Sequence, residues 1–167
     1  MNGKRVLLIN PWIHDFAAYD LWARPLGLLS IGGLLRAAGC AVDYIDCLDA
    51  DHPAMKETPP KVKSGGHHKY YRTVIEKPAP VADMPRRYAR YGISPDALEC
   101  DLSAIRRPDA ILVSCIMTYW YPGAFETIRI ARDRFPDVPV VLGGIYATLC
   151  HEHAAMHSSA LLAGYCD

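Results

Sequence analysis

Three residues in this chain carry the clearest chemical suggestion: Ser114, Gly143 and Gly144. Each end-point follows a short apolar run, Ala110 to Val113 in one case and Val138 to Leu142 in the other. The segment between them, Gly123 to Phe135, has helical spacing, with Phe125, Ile128, Ala131 and Phe135 on one face. A strand ending in a hydroxyl, a crossover helix and a strand ending in two glycines is how an open parallel sheet builds a ligand crevice. Ser114 can donate its hydroxyl there, and the glycines let backbone approach a flat ligand where any Cβ would collide. Thr118 and Thr148 add hydroxyls on the same rim. The alternative is that small residues end the strands of any such sheet, and that function lies elsewhere.

Aromatic residues cluster at the same predicted edge. Trp12, Tyr119, Trp120, Tyr121 and Tyr146 all fall just past strands and are expected to project toward one rim, to wall a large flat ligand or to dock a neighbouring domain. Core packing is the competing reading. Asp46, at the end of the second strand, could hold a ribose, but no Gly-x-Gly-x-x-Gly follows the first strand, and there is no P-loop. His153 and His157 are spaced to share a helix face and could hold zinc, although His151-Glu-His-Ala-Ala155 is not His-Glu-x-x-His. Solvent-facing histidines are the preferred reading there, and a flexible loop is preferred for His67-His68. No catalytic residue and no metal ligand is assigned.

These residues need elements to place them. Arg5 to Ile9 reads as a buried strand stopped by Asn10-Pro11, and Leu26 to Ala38 as a helix ending at Gly39. Gly32-Gly33 inside that helix costs about 1 kcal/mol per residue relative to alanine, which points to close packing on the sheet. Ala41 to Ile45 is a second strand, closing a right-handed βαβ unit. From about residue 47 to 94 the periodicity is lost in a tract rich in proline, tyrosine and arginine. A loop of that length in a compact domain is usually functional, and it is read as an ordered insertion packed on the domain surface or on a partner. A weak helix over Asp96–Ile105, strands at Asp109–Cys115 and Val138–Leu142, a helix over Ala147–Met156 and a short fifth strand at Ala160–Ala163, closed by Gly164, complete the pattern. The expected fold is one α/β domain over residues 1–167, doubly wound and flavodoxin-like (Rossmann-like). Its five-stranded parallel sheet has the order 2-1-3-4-5 and a long insertion after strand two.

Composition bounds the partners. The 167 residues include 18 basic and 18 acidic side chains, and 51% are apolar. A balanced charge argues against a nucleic-acid or anionic-membrane surface. The longest apolar run, Leu26 to Leu35, falls well short of the roughly 20 residues a membrane span needs. Val6 to Ile9 is too short for a secretory h-region of roughly 7–15 residues. A cytoplasmic location is expected. Six cysteines form no Cys-x-x-Cys pair and are read mostly as free core residues.

The motifs also resemble a known family. Ser114-Cys115-Ile116, followed by 26 residues and Gly143-Gly144, is similar to the Ser-x-Leu and Gly-Gly elements of cobalamin-binding domains. Asn10-Pro11-Trp12, Pro25-Leu-Gly27-Leu, and Val140-Val-Leu-Gly143-Gly144-Ile-Tyr-Ala147-Thr148 resemble the B12-binding-like N-terminal domain of radical SAM proteins. The likeness spans the chain except the tract from Cys47 to Ser94. It implies that Asn10, Pro11, Trp12, Ser114, Ile116, Met117, Thr118, Tyr119, Gly143, Gly144, Tyr146, Ala147 and Thr148 line a cofactor site. Within it, Ser114, Thr118, Gly143, Gly144 and Thr148 would line the groove for the nucleotide tail of cobalamin.

Two departures qualify what the resemblance implies. The Asp-x-His-x-x-Gly motif that supplies a cobalt ligand is absent; His14 stands nearby with different spacing. Cobalamin would therefore bind without a protein ligand to cobalt, or the domain has lost it. Cys-x-x-x-Cys-x-x-Cys, which holds a [4Fe–4S] cluster with an open iron for S-adenosylmethionine, is also absent. Those groups are expected in a C-terminal catalytic domain of the same parent protein, this chain being a fragment that is not catalytic alone; the alternative is that it works with another chain. The expected role is to position cobalamin or substrate against that domain. The alternative is a cobalamin-free docking or substrate-entrance module.

Overall fold

A computed structural model describes residues 3–20, 24–55 and 69–163. Five strands form an all-parallel sheet: β1 (Arg5–Asn10), β3 (Ala41–Asp46), β6 (Ala110–Ser114), β7 (Val140–Gly143) and β8 (Leu161–Leu162). Their order across the sheet is β3-β1-β6-β7-β8. The chain therefore reverses its direction of travel between β1 and β6. That is where the loops leaving neighbouring strands diverge and a crevice opens.

Side chains alternate across the sheet and divide the core. Val6 and Leu8 face α1 (Leu26–Ala37), where they pack with Leu28. Leu7 and Ile9 face the opposite way, into the larger core shared with α2 (Pro95–Ala104) and α3 (Tyr121–Arg134) through Leu98, Leu102, Ile128 and Ala131. Gly32 explains why α1 can lie so close: a Cβ there would sit 2.6 Å from Leu8 Cδ1. Gly39, at φ 84°, terminates α1 as expected. Ser94 caps α2, its hydroxyl accepting from the Ala97 amide at 3.2 Å.

The interrupting tract contributes two strands of a second sheet, and the loop after β1 contributes the third. β2 (Ile13–Asp15), β5 (Ala89–Tyr91) and β4 (Arg72–Val74) pair antiparallel in the order β2-β5-β4. The sequence reading places no strand in any of the three segments, because three residues are too few to show alternation. Tyr70, Tyr88, Ala89, Tyr91 and Ile93 are buried, so these residues of the tract join the core. Pro59-Pro60, Gly65 to His68, Gly164 and Cys166 lie outside the described residues.

The helix expected over Ala147–Met156 is two short ones, α4 (Ile145–Leu149) and α5 (His151–His157). They break at Cys150, at φ −118° and ψ 40°, beside the weak helix formers Thr148 and Cys150. Among the described residues no helix is long and apolar enough to cross a membrane, and Cys47, Cys100, Cys115 and Cys150 are free thiols.

Candidate functional site

Ser114 and Gly143 are register partners at the carboxyl ends of β6 and β7. The Cys115 amide donates to the Gly143 carbonyl at 3.0 Å, and the Tyr146 amide to the Cys115 carbonyl at 3.2 Å, which locks the loops after both strands together. Gly144 sits at φ 93° and ψ −177°, a region that only glycine occupies comfortably. A Cβ on it would lie 2.5 Å from the Cys115 carbonyl oxygen and 3.0 Å from Ser114 Oγ. Gly143 differs: a Cβ there meets only Ala163, at 3.7 Å or more. Its missing side chain leaves space rather than avoiding backbone.

That space is a groove of about 200 Å³ on the α1 side of the sheet. Ser114, Gly143 and Gly144 form its floor with Leu112 and Val141, and Gly27, Leu28 and Ile31 of α1 form a wall. The walls are apolar. Ser114 lends the one side-chain hydroxyl, and it makes no hydrogen bond among the described residues.

The other residues expected at the site go to different places. Asn10, Pro11, Trp12 and Ile116 line, with Ser114, a crevice of about 10 Å³ between the ends of β1 and β6, room for about one water. Asn10 Nδ2 donates to Asp46 Oδ1 at 2.7 Å, and the Leu48 amide donates to the same oxygen at 3.0 Å. Asp46 thus ties strand ends together through Oδ1.

The common aromatic rim is likewise corrected. Trp12 is 1% exposed, with Nε1 donating to the Ile93 carbonyl at 2.8 Å and the Arg90 guanidinium 4.9 Å from its ring. Tyr146 is 1% exposed, stacked on Tyr121 with centroids 5.3 Å apart, and burial pushes its phenol pKa up. Ala147 beside it is buried. Residues 69–93 fold back over the sheet edge and cover Trp12, which a local reading leaves open. Thr148 donates to the Gly144 carbonyl at 3.1 Å, one helical turn back. Met117 and Thr118 lie in the turn that the Trp120 amide closes onto the Met117 carbonyl. Tyr119 stays 53% exposed and lines a different pocket.

One partly buried polar cluster escaped the sequence reading. His14 and Arg90 are cross-strand partners in β2 and β5, and both reach Glu126 on α3. Arg90 Nε and a terminal nitrogen donate to the two carboxylate oxygens at 3.2 and 2.5 Å. His14 Nε2 lies 3.0 Å from Oε2, without the alignment of a hydrogen bond. Burial alone would raise the Glu126 pKa, but contacts with His14 and Arg90 outweigh it and hold the carboxyl at about 2. Gly123 lets α3 come this close, since a Cβ would collide with the Trp12 carbonyl and lie 3.3 Å from His14 Cδ2. Sequence separation hid the cluster, and only the register of a three-residue strand pair reveals it.

The α5 histidines are also not simply solvent-facing. His153 Nδ1 lies 2.7 Å from the Tyr146 hydroxyl, and its ring packs 4.5 Å from that of His157. Among the described residues no three His, Cys, Asp or Glu side chains are grouped to hold a metal ion.

No protein-family model matches this chain, and no curated protein matches it significantly.

Proposed function

We propose that this chain is a cobalamin-binding-type domain on a flavodoxin-like, Rossmann-like fold, serving a radical SAM catalytic domain of the same parent protein. One observation carries the reading: Ser114, Gly143 and Gly144 converge on a single apolar groove. The resemblance in their spacing implies a nucleotide-tail site at these same positions.

The residues fit such a tail. Gly143 leaves the floor open, Leu28 and Ile31 offer an apolar wall to a flat benzimidazole, and the Ser114 hydroxyl can meet a ring nitrogen. Bound cobalamin would supply a cobalt centre for methyl transfer or rearrangement, with S-adenosylmethionine and the [4Fe–4S] cluster held by the catalytic domain. This chain's part is to bind and orient. No cobalt ligand is proposed, because His14 Nε2 faces Glu126.

The test is titration of the purified protein with hydroxocobalamin, followed by gel filtration and the visible spectrum. A co-eluting corrin spectrum supports the reading. A colourless protein peak rejects it in favour of the second reading, a cobalamin-free docking or substrate-entrance module. That reading has its own support: Ile31 and Leu34 on α1 and Leu161 on β8 are exposed apolar side chains.

A further inference from the structure

A second concavity, of about 270 Å³, lies away from the Ser114 groove, between β2, the turn Ala79–Val81 and the start of α3. Phe16, Tyr88, Tyr119 and Tyr121 line it, and Pro78, Pro80 and Pro122 extend the apolar wall. Asp15 is in the lining too. Its Oδ1 accepts from the Phe16 amide at 2.6 Å and its Oδ2 from Trp120 Nε1 at 2.9 Å. These bonds aim the carboxylate while leaving each oxygen a further lone pair. No cation stands within ion-pair distance of Asp15 among the described residues.

A half-buried carboxylate without a counter-ion, set among aromatic rings, is the chemistry that selects an organic cation. Ring faces attract positive charge, and the carboxylate supplies the full charge opposite. The protein's own side chains already show this preference, since the Arg86 guanidinium lies over the Phe16 ring at 5.8 Å. The apolar walls disfavour a bare, strongly hydrated ammonium and favour one carrying methyl or larger apolar groups. We infer that this pocket binds an alkylated ammonium compound, with Asp15 as the charge partner and Phe16, Tyr88, Tyr119 and Tyr121 as the surrounding rings. The inference does not depend on cobalamin binding.

The probe pair is choline and its uncharged isostere 3,3-dimethylbutan-1-ol, titrated into the ¹⁵N-labelled full chain while the Trp120 indole N–H resonance is followed. Choline is expected to shift it saturably, and the alcohol to leave it in place. Asp15→Asn and Tyr119→Ala are each expected to weaken choline binding about fivefold or more. Tyr119 is exposed, so its removal tests the pocket without endangering the fold. Equal binding of the alcohol, no saturable choline shift in folded protein, or unchanged affinity in Tyr119→Ala would each overturn the inference.

Discussion

Arg90 holds Glu126 through two nitrogens while its guanidinium lies over Trp12, so one side chain joins β5 to α3 and to the loop after β1. A bidentate arginine–carboxylate pair fixes orientation as well as distance. With His14 opposite Arg90 in the β2–β5 ladder, Glu126 becomes the point where the smaller sheet is anchored to the larger domain.

That anchor predicts an acid sensitivity. The Glu126 pKa, about 2 in the fold, lies below its ordinary value of 4.5. The carboxylate therefore adds stability fully above about pH 4.5, and the contribution fades as pH falls toward 2. Urea unfolding measured across this window should show the loss in the native protein. Glu126→Gln should flatten that part of the profile and lower stability at pH 7. An identical acid profile in the variant would mean that other carboxylates set it.

The two glycines of the groove should respond differently. Gly143→Trp is expected to fill the groove with little change in melting temperature and to abolish corrin retention in the gel-filtration assay. Gly144→Ala forces a Cβ against the Cys115 carbonyl in a backbone region reserved for glycine. It should cost on the order of 1–3 kcal/mol in denaturant titration. Equal stability losses at both positions would contradict the separate roles given to them.

Ser94→Ala removes the hydroxyl that accepts from Ala97 at the start of α2. The expected cost is about 1 kcal/mol, read from the urea midpoint at unchanged slope. Ser94→Asp should retain most of the lost stability, because a carboxylate caps equally well and favours the helix N-terminus.

Thiol reactivity should divide by burial. Burial pushes the Cys115 thiol up to about 12 and raises the Cys47 thiol strongly, so neither supplies thiolate near neutral pH. Cys100 is exposed on α2. Iodoacetamide at pH 8 followed by peptide mapping should label Cys100 in the native protein, and Cys47 and Cys115 only after unfolding. Early labelling of Cys115 would show that the loop after β6 opens readily.

Much of the parallel sheet was legible residue by residue. Continuous apolar runs such as Arg5 to Ile9, and a helix stopped by Gly39, are local signals, because a buried strand and a helix C-terminus each constrain their own residues. The smaller sheet was not legible. Ile13–Asp15, Arg72–Val74 and Ala89–Tyr91 are each three residues long, and such strands exist only through their pairing.

The candidate site divides along the same line. Sequence by itself determined that Ser114 and Gly143-Gly144 would end adjacent strands, since strand length and crossover helix set that register. Tertiary structure alone decided that Trp12 and Tyr146 would be buried, that Asn10 would bond to Asp46, and that His14, Arg90 and Glu126 would meet. The physical reason is range. A strand end is specified by neighbours along the chain. Burial and charge pairing depend on which distant segment folds over that end: residues 69–93 cover Trp12, and Tyr121, Phe125 and His153 pack on Tyr146.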